Sequence, residues 1–232
     1  MAQHDRSVAR TVLVTGASGG IGAAVVRAVA ARGDHVLAAG RNESRLDALC
    51  QAVPHAVPVL LDLRDPTKLP RQLLDLGRLD ALVYCAGIEV AAVPETPYAL
   101  WQETLTVNVA AAAELTRALL PALGSAAGRL VFINAAPGLH AVPRWSAYAA
   151  GKAALREFAD SLREEEARHG PRVTTIYPGG TATELLRKVR GQFGRPFDPA
   201  ECIRPETLAS LDVPDDAHLT ELAVVAATSR TR

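Results

Sequence analysis

The chain of 232 residues has few of the features that mark secreted, metal-binding or membrane proteins. Its three cysteines, Cys50, Cys85 and Cys202, are odd in number, widely spaced and match no zinc or redox pattern. We therefore expect reduced thiols packed as small apolar residues. No uninterrupted apolar stretch approaches the roughly 20 residues of a membrane-spanning helix, and the polar start does not resemble a signal peptide.

An excess of charge of one sign is also missing. Lys plus Arg and Asp plus Glu both number 25, so nothing indicates a nucleic-acid groove or an anionic membrane surface as a partner. The hydrophobic fraction of 49% is typical of a compact globular protein. Because no Pro/Ser-rich linker divides the chain, we expect one cytoplasmic domain over residues 1–232, with flexible ends at 1–9 and 228–232.

The first positive feature is a predicted strand that is followed by a glycine-rich turn and then by a helix. Thr11–Thr15 is predicted as a buried strand, and the glycine-rich run after it leads into an apolar pattern with helical spacing. Glycines let a diphosphate approach the backbone, and a helix N-terminus supplies N–H groups and positive partial charge. An ordinary glycine-rich turn is the alternative. The predicted phosphate ligands are Gly16, Ser18, Gly20, Ile21 and Gly22.

The ends of the next strands indicate which dinucleotide binds. The predicted second strand, His35–Ala39, is followed by Arg41 and not by a carboxylate. In dinucleotide-binding folds an acidic residue there holds the ribose 2′-hydroxyl, whereas an arginine accommodates a 2′-phosphate. Arg41 therefore favours NADP(H) over NAD(H), although a solvated surface cation is the alternative. Asp62, after the third strand, could bond an adenine amine or act as a cap.

Strands alternate with helices along the chain, which predicts an α/β fold with a parallel sheet and helices on both faces. Ligands bind at the carboxyl ends of the strands in such sheets. Residues that follow the later strands therefore join the candidate cofactor site. They are Asp62, Leu63, Ala86, Gly87, Pro178, Gly179, Thr181 and Thr183.

A tyrosine and a lysine lie one helical turn apart in the predicted helix Ser146–Arg168. Tyr148 and Lys152 should share a face, and a nearby positive charge lowers the pKa of a phenol. Such a phenol suits proton transfer near neutral pH. Asn108 lies in an apolar helical run, where an amide is costly unless bonded. It could disturb the helix and hold a water, or it could be a satisfied core residue.

Residues 184–205 have an irregular, glycine- and proline-containing pattern and are a candidate substrate lid. Apolar side chains of this lid, and residues just before Tyr148, predict a substrate pocket wall. Ordinary packing residues are the alternative. The substrate candidates are His140, Trp145, Leu185, Val189 and Phe193.

Together these motifs resemble the short-chain dehydrogenase/reductase (SDR) family over roughly residues 10–225. The family's Thr-Gly-x-x-x-Gly-x-Gly, helix asparagine, Tyr-x-x-x-Lys and Pro-Gly-x-x-x-Thr motifs match Thr15 to Gly22, Asn108, Tyr148 with Lys152, and Pro178 to Thr183. The resemblance implies a doubly wound (Rossmann) parallel sheet of about seven strands in the order 3-2-1-4-5-6-7. It also implies NAD(P)-dependent oxidoreduction of an alcohol/carbonyl pair, of the EC 1.1.1 type, by a homodimer or homotetramer.

The same resemblance implies a role for each site residue. Lys152 bonds the nicotinamide ribose and lowers the pKa of Tyr148, which exchanges a proton with the substrate carbonyl oxygen. Asn108 supports a water that connects Lys152 to solvent. Thr181 and Thr183 fix the nicotinamide end of the cofactor.

Two positions depart from the family pattern. Tyr84-Cys85-Ala86-Gly87 replaces Asn-Asn-Ala-Gly, so an amide that braces the sheet edge is missing. The family's catalytic serine, thirteen positions before the tyrosine, is Ala135. Losing one oxyanion donor costs on the order of 10²–10³ in rate. His140 and Thr181 are the residues that could reach the site instead.

Three interpretations follow from Ala135. We favour an NADPH-dependent carbonyl reductase, with reduced activity, that uses Tyr148, Lys152 and Asn108 without the serine. The second is a non-catalytic cofactor-binding protein with a sensor or regulatory role. In the third, Ala135 is an introduced Ser→Ala change or belongs to a specialised reaction.

Overall fold

A computed structural model describes residues 8–88, 96–135, 145–211 and 217–227. Seven strands form one sheet in the order β3-β2-β1-β4-β5-β6-β7, and every neighbouring pair is parallel. This confirms the predicted fold class and strand order. The strands are β1 Thr11–Thr15, β2 His35–Gly40, β3 Ala56–Leu60, β4 Ala81–Tyr84, β5 Arg129–Ile133, β6 Arg172–Pro178 and β7 Glu221–Val224.

The helices cover both faces of this sheet. A π-turn at Thr106–Ala110 joins two of them, and a 3₁₀ turn lies at Pro199–Glu201. Within the described ranges, none of the helices is both long and apolar enough to cross a membrane. The helices are α1 Gly20–Ala30, α2 Glu43–Ala52, α3 Arg71–Leu74, α4 Tyr98–Leu105, α5 Ala111–Ser125, α6 Ser146–Glu166, α7 Glu184–Gln192 and α8 Pro205–Ala209.

The strand register divides the core into two layers. Leu13, Leu82, Leu130 and Val173 are neighbours across four strands, and all are fully buried beneath α3, α5 and α6. Because side chains alternate along a strand, the flanking valines face α1 and α2 on the other side. Both layers end at the carboxyl edge of the sheet, where the predicted site residues follow their strands.

Two local predictions were wrong in extent. A helix is expected over Pro66–Leu76 from the sequence, but only Arg71–Leu74 is helical, because proline at residue 70 fits a helix start and not its interior. The lid segment is not irregular throughout. Its first part is α7, which begins where the Thr183 side chain accepts a hydrogen bond from the Leu186 N–H.

Two adjacent leucines of α3 test the packing directly. Leu73 is 1% exposed in the core, whereas Leu74 is 52% exposed. We expect Leu73→Ala to lower the free energy of unfolding by about 2–4 kcal/mol, because it leaves a cavity. Leu74→Ala, the matched control, should change it by less than about 1 kcal/mol. Urea unfolding measures both, and equal effects would contradict the described burial.

Candidate active site

Three glycines, Gly16 in the loop between β1 and α1 and Gly20 and Gly22 in the first turn of α1, have no room for a side chain. Gly16 has a φ of 63°, a left-handed conformation that favours glycine. A Cβ atom on Gly22 would lie 2.3 Å from the Gly16 carbonyl oxygen, and one on Gly20 would lie 2.4 Å from Thr183 Cγ2. The glycines thus let the start of α1 line the adjoining cleft closely, and a helix N-terminus is a favourable place for an anion.

A cleft of about 350 Å³ extends from this loop across the carboxyl ends of β2, β3 and β4. It brings together most of the predicted cofactor residues from five separate parts of the sequence. Those that line it are Gly16, Ser18, Gly20, Ile21, Gly22, Arg41, Asp62, Leu63, Ala86, Gly87 and Thr183, and the substrate candidate Leu185 also lines it.

One end of the cleft is basic. Arg41 is accompanied there by Arg45 and Arg64, two residues that sequence reasoning missed. The signal for Arg45 was its position in the first turn of α2, just after the end of β2. Asp62 accepts hydrogen bonds from the backbone N–H of Arg64 at 3.0 Å and from its Nε at 2.9 Å. These side-chain bonds are the main reason that the pKa of Asp62 is lowered.

Asp62 thus closes a turn and pairs with Arg64, and it also lines the cleft, so its contact with an adenine amine stays a prediction. Arg41 and Arg45 add positive charge to the same end of the cleft. The arrangement suits an anionic group better than a neutral hydroxyl pair.

A second cavity of about 200 Å³ adjoins the first and shares Ile21, Cys85, Gly87, Thr183 and Leu185 with it. It lies between the end of β5, the start of α6 and α7. The predicted residues that line it are Ala135, Trp145, Tyr148, Lys152, Pro178, Gly179, Thr181, Thr183, Leu185 and Val189. Phe193 lies behind this wall, with its ring 5.8 Å from that of Trp145. His140 lies outside the described residues.

Lys152 is buried and tied to the sheet. Its Nζ donates a hydrogen bond of 2.9 Å to the Ile133 carbonyl and lies 5.8 Å from the centre of the Tyr148 ring. Burial of the ammonium group lowers the pKa of Lys152 to about 8. The Tyr148 ring is held at its other side by Trp145, edge to face at 5.4 Å. The predicted pairing of Tyr148 with Lys152 is therefore present.

Asn108 lies in the π-turn between α4 and α5 and is completely buried. Its Nδ2 donates to the Ile88 carbonyl at 2.9 Å, and its Oδ1 accepts from the Ile88 N–H at 3.0 Å. A Cβ atom on Gly87 would lie 3.2 Å from Asn108 Oδ1 and 3.7 Å from Lys152 Nζ. The helix is thus disturbed at Asn108 and the amide is bonded to the Ile88 backbone, whereas the water it could hold stays a prediction.

Ala135 is buried beside Tyr148, and the polar groups near it are already bonded. Its N–H donates to Asn134 Oδ1 at 2.9 Å, and Asn134 Nδ2 donates to the Lys152 carbonyl at 3.1 Å. Thr181, one of the two candidates to replace a serine, donates its hydroxyl to the Gly179 carbonyl at 3.0 Å. Among the described residues no cluster of three His, Cys, Asp or Glu side chains could hold a metal ion.

Known proteins with similar sequences match most of the chain. Residues 10–193 match a family described as short chain dehydrogenase. An uncharacterized short-chain type dehydrogenase/reductase of Sinorhizobium fredii is 32% identical, over 96% of this chain and 93% of its own length. The uncharacterized oxidoreductase YciK of Escherichia coli is 35% identical, over 76% of this chain and 75% of its own length.

Solved structures that are similar to this one are also described as dehydrogenases. A protein provisionally identified as an NAD(P)-dependent gluconate 5-dehydrogenase from Beutenbergia cavernae, with NADP bound at low occupancy, has a TM-score of 0.82 and 30% identity. The match covers 94% of this chain and 95% of that one. A provisionally identified short chain dehydrogenase from Escherichia coli CFT073, complexed with NADPH, has a TM-score of 0.81 and 30% identity over 94% and 96% of the two chains.

The burial of Lys152 predicts a pH-dependent stability. Its pKa of about 8 lies below the ordinary 10.5, so the folded state releases this proton first as the pH rises. Below pH 8 the ammonium is charged in both states and its burial opposes folding; between pH 8 and 10.5 that cost disappears. We therefore expect Lys152→Met to be stabilised relative to wild type at pH 7, by a margin that shrinks towards pH 10.

Thermal unfolding of wild type and variant across this pH range measures the margin. Lys188→Met, at an exposed position of α7, is the control and should leave the pH dependence unchanged. A margin for Lys152→Met that stays constant or grows with pH would contradict the described burial of the ammonium.

Proposed function

Because the chain belongs to the short-chain dehydrogenase/reductase family, we propose that it is an NADP(H)-dependent oxidoreductase that interconverts a carbonyl compound and its alcohol. The observation that carries this proposal is the junction of the two cavities. The glycine loop lines one cavity, Tyr148 and Lys152 line the other, and Gly87 lines both. A dinucleotide spanning them would bring its reactive end to the phenol.

The described residues fit a dinucleotide. The glycine loop leaves room for a diphosphate at the start of α1, and Arg41 and Arg45 provide guanidinium groups at the basic end of the cleft. They favour a ribose 2′-phosphate, because guanidinium groups bind phosphate through charged, forked hydrogen bonds, whereas Arg64 is paired with Asp62. The NADP and NADPH in the structures of similar proteins support the same preference. When bound, this cofactor would donate or accept the hydride.

Each catalytic residue has a defined task in this proposal. The Tyr148 hydroxyl gives a proton to the carbonyl oxygen during reduction and removes it during oxidation. Lys152, held by the Ile133 carbonyl, places positive charge beside that phenol and favours its ionised form. Asn108 lies close enough to Lys152 to hold a bridging water, and Thr181 and Thr183 would orient the nicotinamide end.

The substrate wall is mainly apolar. Trp145 and Val189 line the cavity beside Tyr148, Leu185 lies at its border with the cofactor cleft, and Phe193 supports Trp145 from behind. An uncharged carbonyl compound with an apolar substituent fits such a wall best. We also propose a homodimer or homotetramer, supported by the exposed apolar side chain of Tyr98 on α4 and the alanine-rich surface of α6.

Ala135 supports a second candidate function, a cofactor-binding protein with little or no turnover. The position beside the reacting carbonyl has no hydroxyl, and the nearby amide of Asn134 is bonded to the Lys152 carbonyl. Such a protein would bind NADPH and respond to it without catalysis. The alanine lowers transition-state stabilisation and leaves the cofactor cleft complete, so binding and turnover are separable here.

Turnover assays with a panel of ketones and aldehydes test the proposed reaction. We expect slow, NADPH-dependent reduction that falls below detection in Tyr148→Phe, because the proton donor is lost. Ala135→Ser should raise kcat by on the order of 10²-fold if the missing hydroxyl limits the rate. Thermal stabilisation by NADPH, with no turnover in wild type or in Ala135→Ser, would favour the non-catalytic function.

The cofactor preference depends on the basic end of the cleft. We expect Arg41→Ala to weaken NADPH binding by about tenfold and to leave NADH binding nearly unchanged, because only NADPH carries the 2′-phosphate. Fluorescence titration measures both dissociation constants. Arg27→Ala, an exposed arginine of α1 outside the cleft, is the control. Equal losses for the two cofactors would remove Arg41 from the phosphate site.

A further inference from the structure

We propose that Tyr84 is a positioning residue for Asn108, because its hydroxyl supplies the hydrogen bond that the π-turn leaves out. Tyr84 ends β4 at a position where the family has asparagine, and it is fully buried. Its hydroxyl donates to the Val107 carbonyl at 2.6 Å, across 23 residues of sequence. The kinetic part of this inference rests on the proposed function, whereas its structural part does not.

The backbone bonding of the π-turn explains why the Val107 carbonyl needs a donor. In an α-helix the Ala111 N–H would bond the carbonyl four residues back, which is that of Val107. Here the Ala111 N–H bonds Thr106, five residues back. The Val107 carbonyl therefore loses its usual α-helical donor, and a buried carbonyl without a partner is costly. The phenol of Tyr84 supplies this partner.

The π-turn also sets the direction in which the Asn108 side chain points. Inserting one residue into a helix rotates the following side chains by about 100° relative to the preceding ones. In the observed rotation, Asn108 makes both bonds to the Ile88 backbone and lies between Gly87 and Gly151, beside the Lys152 ammonium. If the helix closed into regular α geometry, Val107 would regain the Ala111 donor and Asn108 would turn away from these contacts.

The surroundings of Tyr84 make its hydroxyl a dependable donor. Burial raises the pKa of Tyr84, so the hydroxyl keeps its proton throughout the working pH range. Tyr84 lies on β4, between β1 and β5, and its ring packs in the buried core 6.2 Å from the ring of Phe132, so it cannot move without disturbing the core. The tyrosine that stands in place of the family's asparagine thus brings a hydroxyl donor, carried on a rigid ring, to the helical segment that contains Asn108.

Tyr84→Phe tests the inference because it removes the hydroxyl and keeps the ring. We expect kcat to fall on the order of tenfold, with less than about twofold change in the dissociation constant for NADPH. In an Asn108→Ala background the same substitution should have no further effect on kcat, because Tyr84 acts through Asn108. Tyr177→Phe, which removes a hydroxyl bonded to Glu221 on β7, is the matched control and should leave kcat unchanged.

A crystal structure of Tyr84→Phe provides a readout that does not need turnover. We expect the Ala111 N–H to bond the Val107 carbonyl and Asn108 to lose at least one bond to Ile88. An unchanged π-turn with both Asn108 bonds intact would overturn the inference, even if wild type proved inactive and the proposed function failed. An equal fall in kcat in both backgrounds, or failure of Tyr84→Phe alone to fold, would also overturn it.

Discussion

The candidate site depends on a positive charge held inside the protein. The Lys152 ammonium is buried against the end of β5, where the Ile133 carbonyl accepts its hydrogen bond. Removing a charge from water is unfavourable, and the lowered pKa of Lys152 reflects that cost. The backbone of the same residue accepts a bond from Asn134, so α6 is attached to the β5 edge at two points. The direction of the Tyr148 ring follows from this attachment.

The buried position of the Lys152 ammonium requires small residues around it. Gly87 and Gly151 allow Asn108 and the ammonium to approach each other from different helices, and side chains there would contact them at short range. At the other end of the site, Gly16 and Gly22 bring the start of α1 against the end of β1. Close backbone approach thus recurs where the cofactor phosphates and the reactive phenol are expected. The apolar layers of the sheet provide the rigid support that both ends need.

The two departures from the family pattern have different physical consequences. Ala135 brings no hydroxyl to the cavity beside Tyr148, and its N–H is bonded to Asn134 Oδ1; in the proposed reaction this position would affect turnover. Tyr84 places a phenol where the family has an amide, and its hydroxyl donates to the Val107 carbonyl in the helical segment that carries Asn108. This contact joins β4 to that segment across the core layer.

The sequence by itself determined the order of strands and helices, the glycine loop and the one-turn spacing of Tyr148 and Lys152. Each of these depends on local periodicity or on the conformational freedom of glycine. Only the tertiary structure decided the partners of Asp62, the contribution of Arg45 and Arg64 to the cleft, and the bond from Tyr84 to Val107. These contacts depend on the direction in which each side chain points and on the rotation of each helix about its axis. The one extra residue in the π-turn rotates the rest of the helix about its axis. Local sequence preference does not show which buried carbonyl then needs a donor from a distant part of the chain.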